Sequence, residues 1–459
     1  MNICVLGSGP AALTSALLLK GAGYDVEVFG TPRNVFAIEG ISTRTLNGLI
    51  NAGFKGVQDL VGERYRRVSV WRGDYVEANG EFVIQRRAFD RLYAQFVKSV
   101  GVRIHEVDVH EVFLSNEAWG VRFKGDSAPE DVANRLFDFL VDARGGGAPK
   151  SANNLMVGPL SLSATCLFTN GKAIDDQYTY VEPFIDGWAW VVHHSNGSGS
   201  IQIVFDPENI KAEVKEISVI FNNSLSLLST TLEKLGSGFS LDSNVSVRGF
   251  CPTLRGGVVS KNFIRVGDSC YSGDPLSGHG MFEAISGAFA ALPVINTLLF
   301  RPENIRTAIG FYSDRAKQTF VARMKKGSEI YASETRWKYS QFWEKRSNFT
   351  SNLFVEDSRR PPGFYKEPVV ENGYIVDRYV ARSDSHPRGV RFIDGVDLYA
   401  LANKINIMRP GYSMDAIASE LCAPTQNVGS AYQWLIVNEF ITPDLHCHPF
   451  VINQHTLHQ

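Results

Sequence analysis

The sequence has few cysteines, and none of them forms a pair at metal-binding spacing. Six cysteines are scattered over 459 residues without a CxxC motif. This usage is typical of a reduced, cytoplasmic enzyme rather than of a disulfide-rich secreted domain. One run, His446-Cys447-His448, has ligand-type residues, but adjacent residues rarely converge on one ion. We therefore expect no metal site and a polar tail.

Excess charge of one sign and long apolar runs are also lacking. The net charge of −2 provides no global positive field, which argues against nucleic-acid binding. No apolar run approaches the roughly 20 residues that span a bilayer, so we expect no membrane association. Met1 leads directly into a strand pattern and a glycine turn, and we therefore expect no signal peptide.

The chain begins with a βαβ pattern over residues 2–30. Its turn carries Gly7, Gly9 and Ala12 in G-x-G-x-x-A spacing. The first glycine permits the tight turn, and the second lets the backbone approach a pyrophosphate. The third, small residue lets the helix pack on the strand. The pattern predicts dinucleotide binding by these three residues.

One element of the dinucleotide fingerprint is missing. An acidic residue usually ends the second strand and accepts hydrogen bonds from the ribose hydroxyls. Here the strand ends at Gly30, and Glu27 lies inside it. The ribose contact must therefore come from another group, for which Thr31 and Arg33 are the candidates.

A second glycine-rich turn lies far along the chain. A strand pattern ends at Gly267-Asp268, and the segment 274–280 (DPLSGHG) then leads into an apolar helix. This arrangement places a carboxylate near polyol hydroxyls and a helix N-terminus near an electron-rich ring, which favours a flavin. The residues predicted to bind the cofactor here are Asp268, Pro275, Gly278 and Gly280.

His279 lies in the turn that would face the flavin. Imidazole titrates near neutral pH, and we predict His279 as the catalytic residue that handles protons. Packing or capping of the helix is the open alternative. Trp188 and Trp190 occupy alternate positions of one strand pattern, so they share a face of a sheet. That face either lines the flavin site or packs in a core.

Two further motifs lie between the two glycine-rich turns in the sequence. Residues 86–90 (RRAFD) follow an R-x-x-(L/F)-D pattern, and residues 141–145 (VDARG) follow a D-A-x-G pattern. Over about residues 1–350, the series of these motifs resembles that of the flavoprotein monooxygenases of the para-hydroxybenzoate hydroxylase type and of the flavin-dependent tryptophan halogenases. The resemblance implies FAD as the cofactor, O2 as the co-substrate and Arg86 as a residue that reaches FAD.

Three departures argue against halogenation. Residues 63–71, where halogenases carry a lysine, contain arginines and no lysine. The segment Trp188–Trp190 is not followed by Ile-Pro, and Ser277-Gly278 replaces the Ser-Thr pair of the halide site. The resemblance therefore implies a monooxygenase that hydroxylates an aromatic ring through a flavin C4a-hydroperoxide. NAD(P)H or a partner reductase would supply the electrons.

The second glycine-rich turn, the GWAW strand and Phe342-Trp343 are most similar to a peptide-modifying branch of this family. Its members hydroxylate a tryptophan of another protein during maturation of quinohemoprotein amine dehydrogenase, in the biogenesis of a tryptophylquinone cofactor. This post-translational modification implies a protein or peptide substrate. One alternative is an FAD-dependent hydroxylase or halogenase of a small free aromatic or indole compound. The other is a flavin-less interaction protein built on an inactive enzyme.

The changes of pattern predict an α/β protein with a discontinuous Rossmann-like FAD-binding domain. Its expected parts are residues 1–150 and 256–347, an inserted antiparallel β-sheet substrate domain at 151–255, a linker at 348–385, and a small winged-helix-like C-terminal domain at 386–459.

The C-terminal domain shows three helix patterns. These are Asp397–Ile407, a helix N-capped by Ser413, and Gln426–Phe440. The last helix contains no Arg or Lys, and from residue 386 onward six acidic residues outnumber four basic ones. Neutralisation of DNA phosphates needs the opposite balance. We therefore expect protein docking or structural packing and no DNA binding.

Overall fold

The structure, a computed structural model, describes residues 1–33, 36–123, 135–149, 153–209, 217–349, 361–407 and 413–441. The chain divides into two units, Met1–Leu353 and Phe354–Gln459. The predicted α/β class is confirmed by a parallel Rossmann-like sheet and several antiparallel sheets. The run at residues 446–448 lies outside the described residues.

The first unit contains all of the predicted flavin motifs. Its strands are β1 (Asn2–Leu6), β2 (Asp25–Phe29), β3 (Ile38–Ile41), β4 (Tyr65–Trp71), β5 (Asp74–Gln85), β6 (Arg103–His105), β7 (Val109–Ser115), β8 (Ala118–Phe123), β9 (Leu136–Phe137), β10 (Phe139–Asp142), β11 (Leu155–Met156), β12 (Ser161–Thr169), β13 (Tyr178–Phe184), β14 (Gly187–His193), β15 (Gly199–Phe205), β16 (Ser240–Leu241), β17 (Ser246–Phe250), β18 (Thr253–Leu254), β19 (Val259–Ser260), β20 (Phe263–Arg265) and β21 (Tyr271–Ser272). Its helices are α1 (Pro10–Gly21), α2 (Thr43–Asn51), α3 (Val57–Val61), α4 (Arg86–Ser99), α5 (Ile217–Leu225), α6 (Ser229–Leu235), α7 (Gly280–Phe300), α8 (Ile305–Ser333) and α9 (Gln341–Asn348).

The sheet around β1 has the strand order of a dinucleotide-binding fold. The order is β19-β20-β10-β1-β2-β6, and all neighbours are parallel except the short β19. Ligands of such sheets bind beyond the carboxyl ends of the strands, where the chain order reverses. Here that point lies between β1 and β10, which end just before Gly7 and Ala143.

Helix α7 packs against α1 beside this sheet. By length and composition alone α7 could cross a membrane, so the expectation that no run reaches this length is wrong. However, 61% of its most apolar window is buried inside the protein. A helix that is apolar on nearly all sides is also what the core of a large protein requires.

The expected antiparallel sheet is larger than residues 151–255. Its order is β16-β12-β15-β14-β13-β4-β5-β3, with β17 also paired to β12. The β13–β4 pair is parallel and the other pairs are antiparallel. Strands β3 to β5 come from the segment that we assigned to the FAD-binding domain, so the boundary at residue 150 is wrong. Sequence periodicity predicts the type of an element and not its pairing partner.

The two faces of the large sheet have different neighbours. Helices α5 and α6 cover one face, where Phe221 and Leu225 pack with Val191 and Ile201. The opposite face carries Trp188, which packs with side chains of α8 and α9. In the described part of this segment α5 and α6 are two separate short helices, and residues 210–216 lie outside the described residues.

The second unit begins with strands where we expect a linker. Strand β22 (Gly363–Glu371) pairs with β23 (Tyr374–Ser383), which pairs with β24 (His386–Val390). A short hairpin, β25 (Phe392–Ile393) with β26 (Val396–Asp397), follows. The linker prediction for 348–385 is thus wrong over the described residues 361–385, since the Pro-Pro-Gly sequence leads directly into a strand.

Three helices follow in the second unit, as predicted. They are α10 (Leu398–Ile407), α11 (Met414–Glu420) and α12 (Thr425–Val437). Ser413 caps α11, because its hydroxyl accepts a hydrogen bond of 3.2 Å from the Ala416 amide. Of the apolar residues at helical spacing in α12, Val428, Tyr432 and Leu435 are buried in a core shared with α10 and α11, and Ile436 is partly buried against it.

A buried arginine joins α9 to the large sheet. Arg346 is fully buried and donates hydrogen bonds to the Ser161 hydroxyl at 2.6 Å and to the Phe342 carbonyl at 3.1 Å. It also pairs with the buried carboxylate of Asp206 at 3.4 Å. Removing one partner of such a pair leaves an uncompensated charge in a low-dielectric environment.

We expect Arg346→Ala to lower the free energy of unfolding by about 3–5 kcal/mol, because Asp206 then loses its buried partner. The adjacent Lys345 provides the comparison, since it pairs with the exposed Glu208, lies 3.7 Å from Asp206 and remains partly exposed itself. Lys345→Ala should cost about 1 kcal/mol or less. Chemical denaturation of both variants measures the difference, and equal costs would contradict a structural role for the buried pair.

Candidate cofactor and substrate site

The first glycine turn lies where three strand ends meet. Gly7 has a φ of +118°, and a Cβ at this position would lie 2.8 Å from the carbonyl carbon of Ala143. A Cβ at Gly30 would in turn lie 2.8 Å from the carbonyl carbon of Gly7. Both positions therefore exclude side chains, because backbone contacts backbone there.

Helix α1 begins directly after this turn. Gly9 is its N-cap and provides no side-chain hydrogen bond, while Pro10 occupies the first helical position. The amides of the first turn thus have no side-chain cap and suit a pyrophosphate. Ala12 is fully buried, as the third small position of the motif requires. These residues fit the predicted FAD phosphate site.

The missing ribose acid is explained by the packing at the end of β2. Gly30 leaves no room for a carboxylate there. Glu27 is unavailable because it is buried and accepts hydrogen bonds from Arg103 at 3.0 Å and from Arg135. It also lies 2.9 Å from a ring nitrogen of His105.

Thr31 brings another carboxylate to this position. Its hydroxyl donates a hydrogen bond of 2.8 Å to Asp108, and its carbonyl accepts one of 2.5 Å from the Ser8 hydroxyl. Asp108 comes from the segment before β7, and no local pattern in the sequence indicates it. Asp108 is therefore an additional candidate for the ribose contact beside Thr31 and Arg33.

Arg86 lies beside the glycine turn but is held by two carboxylates. Its guanidinium donates to Asp90 at 2.9 and 3.1 Å and to Glu39 at 2.6 Å. A Cβ at Gly9 would lie 4.0 Å from its Nη2 atom. Arg86 thus lies near the glycine turn, and its ion pair with Glu39 also joins α4 to β3.

The second turn packs against the first. Gly267 has a φ of +69°, and a Cβ there would lie 2.8 Å from the Cβ of Ala11 in α1. Asp268 lies deep in the protein, yet its side chain is accessible from the cavity that it lines. Burial raises the pKa of Asp268 to about 6, and Glu39 adds to this effect, whereas Arg86, Arg33 and Arg255 oppose it.

The DPLSGHG segment follows, and its chain bends between Asp274 and Gly278. The Asp274 carboxylate accepts a hydrogen bond of 2.9 Å from the Leu276 amide and begins the 3-10 turn Pro275–Ser277. Gly278 adopts a left-handed conformation with a φ of +62°. His279 is the N-cap residue of α7, and Gly280 begins that helix.

A cavity of about 370 Å³ brings the second motif and the large sheet together. Its walls include the predicted residues Asp268, Pro275, Gly278, His279, Gly280, Trp188 and Trp190. The predicted common face of the two tryptophans is thus confirmed, and it lines the cavity. Gly7, Gly9, Ala12 and Arg86 do not line this cavity and instead form the adjoining strand-end crevice.

Hydrogen bonds connect the two sides of the cavity. The Trp188 indole donates to the Tyr331 hydroxyl at 3.2 Å, and that hydroxyl donates to Asp274 at 3.0 Å. Burial raises the pKa of both Asp274 and Tyr331. A strand of the large sheet is therefore fixed to the turn that precedes α7.

The charged residues of the cavity wall that were not predicted include Arg67 of β4 and Glu81 of β5. The Glu81 Oε1 atom accepts a hydrogen bond of 2.5 Å from Thr179 and one of 3.4 Å from the Trp190 indole. The Arg67 Nε atom lies 3.9 Å from the same oxygen. Their neighbours Thr179 and Trp190 come from strands about 100 residues further along the chain, so no local signal indicates them.

The chain is similar to flavoproteins over most of its length. No family model matches the sequence. The structure of QhpG, described as a peptidyl tryptophan dihydroxylase essential for tryptophylquinone cofactor biogenesis, matches with a TM-score of 0.74 and 28% identity, covering 95% of this chain and 98% of QhpG. The flavin-dependent halogenase CmlS matches with a TM-score of 0.72 and 16% identity, covering 96% and 94%. LodB of Marinomonas mediterranea, described as an FAD-dependent oxidoreductase, is 23% identical over 76% of this chain and 97% of LodB.

We expect alanine at Gly7 to lower the stability of the protein and alanine at Gly9 to weaken FAD binding. Gly7→Ala should destabilise the FAD-free protein by roughly 1–3 kcal/mol from its backbone conformation alone. Gly9→Ala should leave that stability unchanged, because its Cβ meets only the Arg86 Nη2 atom at 4.0 Å. It should nevertheless weaken FAD binding by crowding the pyrophosphate. Thermal denaturation and FAD titration separate the effects, and normal FAD affinity in Gly9→Ala would contradict the assigned phosphate site.

Asp268 should make the stability of the FAD-free protein depend on pH. Since its pKa in the folded protein is raised to about 6, its ionisation opposes folding above that pH. Asp268→Asn should therefore be more stable than the wild type at pH 8, and the difference should shrink as the pH falls from about 6 towards 4. Denaturation midpoints over this range measure it. A stability difference that does not change with pH would contradict the raised pKa.

Proposed function

Because the chain belongs to the superfamily of FAD-dependent monooxygenases and halogenases, we propose that it hydroxylates the indole ring of a tryptophan in a partner protein or peptide. This step would belong to the biogenesis of a tryptophylquinone cofactor. The observation that carries the proposal is the similarity to QhpG over nearly the full length of both chains.

The walls of the cavity suit a planar aromatic substrate. Aromatic side chains from β14, β17, β21, α8 and the segment before β3 line it, namely Phe36, Trp188, Trp190, Phe250, Tyr271 and Phe320. Such walls bury an aromatic ring, and a few polar groups among them orient it. Thr165 and Gln202 supply polar groups on the same wall as the tryptophans.

The residues of the two turns can perform the tasks that a flavin hydroxylase requires. FAD, when bound and reduced, supplies the activation of O2 for transfer of one oxygen atom to an aromatic ring. The first turn of α7 would stabilise negative charge on the ring system, and Asp268 would accept hydrogen bonds from polyol hydroxyls. His279 would handle protons from its position at the N-cap of α7. The electrons would come from NAD(P)H or from a partner reductase.

The composition of the cavity wall supports hydroxylation rather than halogenation. Arg67 occupies the stretch where halogenases carry a lysine, and it lies beside Glu81 instead of standing alone. Among the described residues that line the cavity, none is a lysine. A side-chain amine that could carry an activated halogen is thus lacking from this wall.

We further propose that the C-terminal unit, whose residues 386–459 we interpret as winged-helix-like, docks a protein substrate and not DNA. In its described part, α12 has no basic residue, and Lys404 of α10 pairs with Glu420 of α11. Because that lysine is already neutralised by a carboxylate, it contributes little to phosphate binding. A cytoplasmic location suits both a reduced protein substrate and a cellular reductant.

The proposal predicts that the FAD-loaded enzyme, a reductant and O2 add one or two oxygen atoms to a tryptophan. Mass spectrometry of proteins from cells with and without the enzyme would detect this addition, and N-acetyl-tryptophanamide provides a small probe of peptidyl tryptophan. A Gly9→Ala enzyme, which should bind FAD weakly, serves as the control.

Two results would argue against this function. Oxygenation of free indole with none on peptidyl tryptophan would indicate an enzyme for small aromatic compounds. Incorporation of bromide or chloride in place of oxygen would indicate a halogenase.

A further inference from the structure

We propose that Glu81 is the catalytic base that accepts the proton lost by the substrate ring during hydroxylation. The inference rests on the proposed function and assigns a residue to one of its steps. Glu81 lies on β5, in the wall of the cavity that also contains Trp188 and Trp190. Its side chain is only 10% exposed, so the carboxylate is shielded from bulk water.

The two oxygens of the Glu81 carboxylate have different surroundings. Oε1 accepts hydrogen bonds from Thr179 and from the Trp190 indole, and it faces the Arg67 Nε atom at 3.9 Å. Oε2 forms no hydrogen bond with any residue that the structure describes. One oxygen is thus anchored, which fixes the orientation of the carboxylate, and the other accepts no hydrogen bond from the described residues.

Gly40 makes room for this carboxylate. A Cβ at Gly40 would lie 2.7 Å from the Glu81 Cδ atom and closer still to Oε2. The φ of Gly40 is not positive, so its backbone conformation does not require a glycine. The lack of a side chain at this position therefore serves the space around Glu81 rather than the conformation of β3.

Other carboxylates of the cavity are less suited to accept a proton. Glu283 is engaged at both oxygens, by Arg323 at 2.7 Å and by the Tyr271 hydroxyl at 2.7 Å. Glu39 is held at 2.6 Å in an ion pair with the buried Arg86 guanidinium, which fixes it beside the cofactor turn.

Asp274 and Asp268 are also committed elsewhere. Asp274 accepts hydrogen bonds from Tyr331 and from the Leu276 amide. Asp268 belongs to the cofactor turn. Glu81 combines neutral hydrogen-bond donors on one oxygen with an unbonded second oxygen.

The proton balance of the step is simple. One oxygen atom of O2 becomes bonded to a ring carbon as a hydroxyl group, and the other leaves as water. The C–H bond at that carbon then breaks, its electron pair returns to the ring, and the proton moves to Glu81 Oε2. Proton transfer from Glu81 to water resets the carboxylate. The two electrons and the O2 are those of the proposed reaction.

The test compares Glu81→Gln with the wild type, both loaded with FAD, using N-acetyl-tryptophanamide with hydrogen or deuterium on its indole ring. Glutamine keeps the size and the Thr179 hydrogen bond but cannot accept the proton. We expect kcat to fall by about 100-fold or more, the contribution typical of a general base. KM and the Kd for FAD should stay unchanged. An isotope effect on kcat should appear in the variant, because loss of the ring hydrogen becomes the slow step.

Two variants control for loss of charge and of geometry. Glu77→Gln removes a carboxylate from the same strand, but this residue pairs with Arg66 at the surface, so kcat should not change. Glu81→Asp retains a base on a shorter side chain and should recover part of the activity. Melting temperatures of all variants identify any that fold incorrectly.

Each outcome decides between the proposals. A Glu81→Gln enzyme with wild-type kcat and no isotope effect would overturn the role of Glu81 and leave the proposed function intact. A fall in kcat together with a much weaker Kd for FAD would assign Glu81 to cofactor binding and would also overturn it. Absence of oxygen from the probe and from partner proteins in the wild type would overturn the proposed function, and the role of Glu81 with it.

Discussion

Close contact between backbones at Gly7 is the constraint on which the cofactor site depends. Strands β1, β2 and β10 end there, and the backbones at Gly30 and Ala143 lie too near for any side chain. Gly267 brings the second turn against α1 in the same way. Because these contacts involve backbone atoms or the Ala11 Cβ, whose position the backbone fixes, they cannot relax by rotation of a side chain. They hold two segments that are distant in sequence at a fixed spacing.

Ion pairs also stabilise the region around these backbone contacts. The buried Arg86 is neutralised by Glu39 and Asp90, so its charge stabilises the scaffold before any cofactor binds. The carboxylates of Glu81 and Asp268 are exceptions, since neither is engaged by a cation within hydrogen-bonding distance in the described structure. A carboxylate in a cavity without a cation at hydrogen-bonding distance costs stability, and such positions are where function is expected.

The sequence predicts local features of this protein well and long-range features poorly. The glycine turns and α4 follow from short patterns, and the shared face of Trp188 and Trp190 follows from strand alternation. The pairing of β4 and β5 with the large sheet does not, because nothing in a strand identifies a partner from a distant segment. Glu81 was missed for that reason: its neighbours in the cavity come from elsewhere in the chain. The expected linker was wrong because Pro361-Pro362 precedes a strand, where proline is tolerated at the start.

The pair formed by Asp206 and Arg346 has a consequence for the synthesis of the protein. The two residues are 140 positions apart in the chain. At about 5–20 residues per second, translation takes roughly 7–28 s to cover that interval. Throughout it, the nascent large sheet has a carboxylate at a buried position and no guanidinium to neutralise it. The Asp206 carboxylate can therefore find its cations, Arg346 and Lys345, only after α9 has been synthesised.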